Sequence, residues 1–305
     1  MILETLAQAV GGTPLVRLNS LEREVPGVEL WAKLEWFNPG GSVKDRAALG
    51  IFRDAVERGV LRPGGKRRLL DSTSGNTGIA YAWIGAALGV PVALVMPENV
   101  SEARKQLTRA FGAEVISSDP LEQSDGAIRL ARKLAAEQPD QFFYADQYSN
   151  PANPLAHELG TAAEIWQDTG GRVTHFVAGI GTSGTVMGTG RGLKARRKDI
   201  QIVACEPAEP LHGLEGLKHM PSSIVPPIWR EAEIDRKLSI VTEDGWDMAA
   251  RLIAREGLLA GHSAGGAAFG ALSIARELVA QGKQGCIVCL FPDRADRYLP
   301  GPGGG

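Results

Sequence analysis

Short apolar runs alternate along most of the chain with longer segments in which apolar positions recur at helical spacing. The apolar runs predict strands at Glu29–Leu34, Arg68–Asp71, Val92–Met96, Glu114–Ser117, Phe142–Ala145, His175–Ala178, Gln201–Cys205 and Cys286–Phe291. The helical segments predict helices at Val43–Glu57, Ile79–Leu88, Ser101–Phe111, Gln123–Glu137, Leu155–Trp166, a stretch ending near Lys194, Asp244–Glu256 and Ala264–Ala280. Because strands and helices alternate through short loops, the pattern predicts an α/β fold with mainly parallel sheets flanked by helices.

Two stretches depart from this alternation. Ile79–Met96 carries no charge and is long enough to suggest a membrane helix. Gly89-Val90-Pro91 interrupts it, so a buried helix, a turn and a strand are the better interpretation. Ala208–Ile234 is rich in Pro, Gly and His with little periodicity, which is typical either of a mobile segment that covers a substrate or of a surface excursion.

Composition excludes several classes of protein. The 305 residues are enough for two domains, and the net charge of −2 indicates no attraction to nucleic acid or to a membrane. The start, Met1–Glu4, lacks a secretory signal, and three cysteines do not form a disulfide framework, so we expect a reducing, cytoplasmic location. Cys286 and Cys289 would point to opposite faces of one strand, which makes them core residues rather than metal ligands. We expect no metal.

A lysine stands at the start of a predicted helix in the segment Asn38–Arg46. Its Pro and Gly residues form a turn, Ser42 is a good N-cap, and Lys44 falls in the first helical turn. The positive end of the helix dipole disfavours an ammonium there, so we expect a lowered pKa and a nucleophilic amine. Such a lysine can form a Schiff base with a carbonyl cofactor such as pyridoxal phosphate. The alternative is that Lys44, Asp45 and Arg46 form an ordinary solvated face of the helix and have no catalytic role.

Three further loops each lead into a predicted helix. Thr73–Gly78 offers hydroxyls, an amide and backbone N–H groups for an anion such as a carboxylate. Gly179–Thr185 can wrap a phosphate. Gly261–Gly266 leads into the predicted helix Ala264–Ala280. The second loop also fits the dinucleotide fingerprint, with Glu206 as its ribose acid. That fingerprint normally opens the first βα unit of its domain and would not explain Lys44.

Four segments occur in the order and approximate spacing of the cysteine synthases: Pro39–Arg46, Thr73–Gly78, Gly181–Thr185 and Gly261–Gly265. The chain resembles these pyridoxal-phosphate-dependent β-replacement enzymes of fold type II, the tryptophan synthase β-subunit class, from Gly12 to Leu299. The resemblance implies two domains with an active site in the cleft between them, and a homodimer. Residues 38–148 would form the smaller, mobile domain that carries the Asn76 loop. Residues 1–37 and 149–305 would form the larger, phosphate-binding domain.

The same resemblance implies a role for each site residue. Lys44 would form the Schiff base and later move a proton, and Asn76 would bind the ring oxygen of pyridoxal phosphate. Ser263 would face the pyridine nitrogen. The substrate carboxylate would be bound by Thr73, Ser74, Thr77 and Gln147. The cofactor phosphate would be held by Gly181, Thr182, Ser183, Gly184 and Thr185.

Several details resemble the B type of cysteine synthase, including Gly181–Thr185 and Asp293–Tyr298. The expected reaction joins an O-activated serine, O-acetylserine or O-phosphoserine, to sulfide or thiosulfate, which yields L-cysteine or S-sulfocysteine. Lys218 would lie over the active-site mouth and bind an anionic substrate; a solvated loop lysine is the alternative. Cystathionine β-synthase, a serine or threonine dehydratase and a non-catalytic partner protein on this scaffold remain alternatives.

Three sites depart from the family pattern, and one of them is Gly41, which replaces a commoner small hydroxyl residue or alanine. Asp71-Ser72 stands where Glu-Pro is usual, and His262 stands where an aliphatic residue is usual. For His262 we expect packing beside Ser263, with a ligand or catalytic role as the alternative. We expect His157 to be a helix residue whose hydrogen bonds are satisfied locally.

Overall fold

The computed structural model describes residues 2–73 and 75–298. Its strands are β1 (Leu15–Arg17), β2 (Val28–Leu34), β3 (Arg68–Ser72), β4 (Val92–Pro97), β5 (Glu114–Ser118), β6 (Phe142–Tyr144), β7 (His175–Gly179), β8 (Gln201–Pro207), β9 (Arg236–Ile240) and β10 (Gly285–Phe291). Its α-helices are α1 (Asn19–Glu22), α2 (Lys44–Glu57), α3 (Asn76–Leu88), α4 (Glu102–Ala110), α5 (Gln123–Glu137), α6 (Ala152–Ala156), α7 (Ala162–Asp168), α8 (Gly184–Arg196), α9 (Thr242–Glu256) and α10 (His262–Ala280).

The chain divides into two compact units. Unit 1 consists of Met1–Val10 and Asn38–Asn153, and unit 2 of Gly11–Phe37 and Pro154–Gly305. The expected boundaries, 38–148 against 1–37 and 149–305, therefore differ at two places. Ala7 is buried in the core of unit 1, which brings the first residues into that unit. The Asn153 side chain donates to the Gln147 carbonyl at 2.8 Å, which keeps residues 149–153 there too. The mobility of the smaller unit stays a prediction.

Unit 1 is built on a parallel sheet with the strand order β5-β4-β3-β6. Because successive side chains of a strand point to opposite faces, the apolar runs of β3 and β4 supply two separate cores. Leu69 and Leu94 pack with residues of α2 and α3 on one face. Leu70 and Val95 pack with α5 on the other face. Helices cover both faces, as the continuous apolar strands predict.

Unit 2 contains a six-stranded sheet with the order β1-β2-β10-β7-β8-β9. The short β1 is antiparallel to β2, and the remaining neighbours are parallel. Its largest core joins one face of the sheet to α9 and α10. Cys286 and Cys289 are buried on β10, as expected, and burial raises the pKa of the Cys286 thiol to about 12. Both thiols are therefore inert core residues.

The uncharged stretch Ile79–Met96 forms the end of α3, a turn and β4. Gly89 ends the helix in the left-handed conformation with φ +66°, which confirms the predicted interruption. Within residues 2–73 and 75–298, the structure contains no helix that is long and apolar enough to cross a membrane.

Other predicted elements needed correction. The predicted helix Leu155–Trp166 is interrupted by a π-helical turn, His157–Thr161, between α6 and α7. The edge strand β9 was missed, because Leu238 and Ile240 are its only apolar residues. Helices α3 and α10 begin at Asn76 and His262, three and two residues earlier than predicted for Ile79 and Ala264. Asn, Thr and Ser at these starts have low intrinsic helix propensity, which hides the first turn in the sequence.

Candidate active site

Lys44 is the first residue of α2 and is partly buried. The turn before it closes through a hydrogen bond from the Gly41 N–H to the Asn38 carbonyl at 2.7 Å, and Gly41 has φ +76°. The Ser42 hydroxyl accepts from the Lys44 N–H at 3.3 Å, so Ser42 supplies the predicted cap although Val43 separates it from the helix. Lys44 therefore lies in the first helical turn, as the sequence predicts.

The neighbour of Lys44 fixes this turn in place. Asp45 is fully buried, and its carboxylate accepts hydrogen bonds from the Trp83 indole at 3.0 Å and from the Gly40 N–H. A Cβ atom at Gly40 would lie 2.3 Å from both the Asp45 and the Trp83 side chains, so glycine is required there. Local sequence does not reveal this role of Asp45, because its partner Trp83 is 38 residues away.

The loop after β3 leads directly into α3, whose first residue is Asn76. Asn76 and Thr77 therefore lie in the first helical turn, where the positive end of the helix dipole favours an anion. Thr73 is partly buried, and its hydroxyl accepts from the Gly75 N–H at 3.4 Å. Ser74, predicted to bind substrate, lies outside the described residues.

Gln147 joins this loop from the carboxyl end of β6. Its side-chain oxygen accepts a hydrogen bond from the Thr77 hydroxyl at 2.8 Å, and both side chains are buried. The sequence assigned Gln147 and Thr77 to one carboxylate-binding group on resemblance alone. The structure brings these two residues together.

The glycine-rich loop between β7 and α8 has a strained backbone at Ser183, with φ +70°. Ser183 is buried, and its hydroxyl has no hydrogen-bond partner among the described residues. The Gly184 N–H points toward the Thr182 hydroxyl, which accepts at 3.4 Å. The loop therefore presents an unsatisfied buried hydroxyl at the start of a 13-residue helix.

Thr185 is supported by a histidine that the sequence treated as a local packing residue. His157 is buried, and its ring bonds locally with the Thr161 hydroxyl at 2.9 Å, as expected. Its other ring nitrogen lies 3.3 Å from the Thr185 hydroxyl, so His157 also orients the glycine-rich loop. The π-helical turn that carries His157 packs closely on α8, because a Cβ at Gly188 would lie 2.9 Å from the His157 Cβ and a Cβ at Gly192 would lie 2.6 Å from the Glu158 carbonyl oxygen.

The irregular segment 208–234 is held to unit 2 at several points. The Lys218 N–H donates to the Ile180 carbonyl at 2.7 Å, and the Met220 N–H donates to the Glu206 carboxylate at 3.1 Å. A Cβ at Gly181 would lie 2.5 Å from the Gly216 carbonyl oxygen. The glycine at 181 thus permits close packing of the segment as well as a tight loop.

Glu206 therefore already has partners. Besides the Met220 N–H, its other oxygen lies 3.7 Å from the Lys237 ammonium. A carboxylate used in this way does not serve as the ribose acid of a dinucleotide site. These contacts of Glu206 remove the main support for a dinucleotide-binding site.

Ser263 is buried in the first turn of α10, directly after His262. The His262 ring lies between Trp246, at 5.4 Å, and Tyr298, at 6.1 Å, measured between ring centroids. His262 Nδ1 lies 3.2 Å from the Glu215 carboxylate. His262 therefore packs between Trp246 and Tyr298 and connects α10 with the segment that carries Lys218. Burial and the neighbouring Asp293 carboxylate raise the pKa of Tyr298.

The predicted residues fall into two sets, one in each unit. Unit 1 carries Lys44, Thr73, Asn76, Thr77 and Gln147, and unit 2 carries Gly181, Thr182, Ser183, Gly184, Thr185, Lys218 and Ser263. Among the residues that the structure describes, no cluster of three or more His, Cys, Asp or Glu side chains could hold a metal ion.

Comparison with known proteins identifies the family. The family described as pyridoxal-phosphate dependent enzyme matches residues 6–293. A cysteine synthase of Aquifex aeolicus is 52% identical over 97% of this chain and 90% of its own length. Cysteine synthase B of Escherichia coli is 41% identical over 97% of this chain and 95% of its own length. A crystal structure of cysteine synthase from Entamoeba histolytica has a TM-score of 0.91 at 36% identity, and covers 100% of this chain and 93% of that one. The chain therefore belongs to the pyridoxal-phosphate dependent enzymes and, among them, to the cysteine synthases.

The glycine-rich loop fits the phosphate of pyridoxal phosphate. Among the described residues its buried Ser183 hydroxyl lacks a hydrogen-bond partner, and the first N–H groups of α8 lie at the same loop. A phosphate accepts several hydrogen bonds and is favoured at the positive end of a helix. The donor set of this loop is therefore complementary to that group.

Proposed function

We propose that the chain catalyses β-replacement on an O-activated serine, with sulfide as nucleophile and L-cysteine as product. One observation carries the proposal beyond the family: Lys44, Asn76, Gly184 and Ser263 each lie in the first turn of a helix. Helix starts present N–H donors and positive potential, which suit a cofactor phosphate and a substrate carboxylate. At Lys44 the same potential disfavours an ammonium and so favours a nucleophilic amine.

Bound there, pyridoxal phosphate supplies the electron sink that allows the serine α-proton and then the β-substituent to leave. Lys44 would hold the cofactor covalently through Nζ, and the same amine would accept the α-proton of the bound amino acid. Asp45, held by Trp83 and Gly40, keeps the first turn of α2 in position for this proton transfer.

The remaining residues bind and orient. Asn76 would donate to the ring oxygen of the cofactor, and the hydroxyl of Ser263 would face the pyridine nitrogen. Because that hydroxyl is neutral, it does not hold the ring protonated as a carboxylate would, which favours elimination over transamination. Thr73, Ser74, Thr77 and Gln147 bind the substrate carboxylate. Gly181, Thr182, Ser183, Gly184 and Thr185 bind the cofactor phosphate.

Substrate choice rests on the leaving group and the sulfur donor. O-Acetylserine and sulfide are the first substrates to test, because solved relatives are described as O-acetyl serine sulfhydrylases. O-Phosphoserine and thiosulfate are the second pair, because Lys218 would meet their negative charge. We also propose that the protein is a cytoplasmic homodimer.

The test follows the absorbance of the purified, yellow holoenzyme. We expect O-acetylserine alone to change the cofactor spectrum, and sulfide to restore it with release of one L-cysteine per site. A yellow protein that releases pyruvate and ammonia would instead be a dehydratase, and one that requires homocysteine would be a cystathionine β-synthase. A colourless protein that binds no pyridoxal phosphate would contradict the proposal and favour a non-catalytic role.

A further inference from the structure

Asp71 is a fully buried carboxylate at the end of β3, just before the loop Thr73–Gly78. One of its oxygens accepts a hydrogen bond from the Ser72 N–H at 2.8 Å. Its other oxygen accepts from the Gln147 N–H at 3.2 Å. The carboxylate thus joins the last residue of β3 to the loop that follows β6.

Hydrogen bonds fix both the backbone and the side chain of Gln147. Its side-chain oxygen meets the Thr77 hydroxyl at 2.8 Å, and its carbonyl accepts from the Asn153 side chain at 2.8 Å. Asp71 fixes the N–H of the same residue. A shift of the Gln147 backbone would therefore move the Gln147 amide and the Thr77 hydroxyl together.

The surroundings of Asp71 favour partial neutralisation. Burial raises the pKa of Asp71 to about 7, although the hydrogen bonds from Ser72 and Gln147 oppose the shift and the Asp146 charge adds to it. The titratable groups that face it are Tyr81 on α3, Tyr144 on β6, and Asp146 and Tyr148 in the following loop. A protonated carboxyl has one fewer strong acceptor oxygen, so it cannot hold both N–H groups equally well.

We propose that Asp71 is a positioning residue for substrate binding. By accepting hydrogen bonds from both Ser72 and Gln147, its carboxylate holds Gln147 and Thr77 in the orientation that receives the carboxylate of the amino-acid substrate. This inference rests on the proposed function, which assigns the substrate carboxylate to these residues. Asp71 acts through its neighbours and contacts neither substrate nor cofactor.

The experiment compares the holoenzyme with Asp71→Asn and with the control Asp140→Asn, which changes an exposed aspartate of the same unit. The binding of O-acetylserine is measured without sulfide, from the change in cofactor absorbance, because sulfide itself changes protonation near neutral pH. We expect Asp71→Asn to raise the O-acetylserine concentration at half-saturation about tenfold, which is the loss of affinity expected for one charge-assisted hydrogen bond. The maximal rate and the spectrum of the free holoenzyme should change little. Asp140→Asn should match the parent.

The pH dependence of O-acetylserine binding distinguishes a positioning role of the Asp71 carboxylate from a merely structural one. Half-saturation is expressed as the concentration of O-acetylserine whose α-amino group is neutral, because only that form reacts with the cofactor and its fraction falls with pH. On this scale, half-saturation in the parent and in Asp71→Glu, which keeps a carboxylate, should weaken as the pH falls from 8 to about 6. In Asp71→Asn it should stay weak and constant over that range. If Asp71→Asn does not fold, the parent and Asp71→Glu decide the question. A parent profile that is flat, or an Asp71→Asn variant with parental binding, would overturn the inference. A parent that does not respond to O-acetylserine at all would instead overturn the proposed function.

Discussion

The proposed chemistry depends on Lys44, and the position of this residue follows from local sequence. The turn Asn38–Gly41 and the cap Ser42 start α2 within one residue of the predicted start, and Asp45 locks that start against Trp83. We predict that Lys44→Ala keeps the fold and loses β-replacement, because the nucleophile and the proton acceptor are the same amine. Absorbance, turnover and thermal unfolding of the variant test this prediction.

Lys66→Ala is the matched control, because Lys66 is an exposed lysine of the same unit. It should retain both the yellow colour and full activity. Substantial turnover in Lys44→Ala would rule out the assigned role of this lysine.

Substitution of Lys218 tests which substrates the protein prefers. Its N–H is bound to Ile180, beside the glycine-rich loop, so the side chain starts from a fixed backbone position. A charge-assisted contact with an anionic leaving group or donor is worth roughly 1.5–3 kcal/mol, or about one to two decades in rate. We expect Lys218→Ala to lose this much with O-phosphoserine or thiosulfate, and little with O-acetylserine and sulfide. Lys198→Ala, a change of an exposed lysine in the same unit, serves as control. An equal loss with both substrate pairs would argue against the proposed contact.

At the scale of elements, the packing of α8 positions the glycine-rich loop. A Cβ at Gly188 would lie 1.9 Å from the Pro154 carbonyl oxygen, whereas a Cβ at Gly190 would lie 3.2 Å from the Ile202 side chain. We predict that Gly188→Ala displaces α8 and costs about 1–3 kcal/mol of unfolding free energy, together with weaker binding of pyridoxal phosphate. The measurements are urea unfolding and cofactor titration.

Gly190→Ala provides the comparison on the same helix. Its methyl group meets a side chain that can adjust, and alanine is the better helix former by roughly 1 kcal/mol. We expect a near-neutral effect on both stability and cofactor binding. Equal effects of the two substitutions would show that close packing at Gly188 does not position the loop.

The sequence predicts elements better than contacts. Apolar periodicity located the strands of both sheets except the short β1 and the edge strand β9, and in β9 the segment Arg236–Ile240 has too few apolar residues to stand out. Helix starts rich in polar residues were placed late, at Ile79 instead of Asn76. The contact between His157 and Thr185 joins residues 28 positions apart, and the contact between His262 and Glu215 spans 47. Local patterns carry no information about such pairs, which arise when the elements fold together.

For the molecule as a whole, the protonation of Asp71 makes the free energy of unfolding depend on pH. The pKa of this buried carboxyl is raised from 3.8 to about 7 in the folded protein. Between these pH values the unfolded chain has released the proton and the folded chain retains it, so the free energy of unfolding falls as pH rises through that range. We predict that Asp71→Asn removes this contribution and loses less stability than the parent between pH 5 and pH 8. Urea unfolding at both pH values measures the difference, and parallel profiles for parent and variant would contradict it.

The most direct test of the proposed function is the identity of the residue that holds the cofactor. The holoenzyme is reduced with borohydride, digested, and its peptides are analysed by mass spectrometry. The helix-start arrangement at α2 predicts a single pyridoxyl-phosphate modification at Lys44, and none in Lys44→Ala. Modification of a different lysine in the parent protein, or of none, would contradict the account.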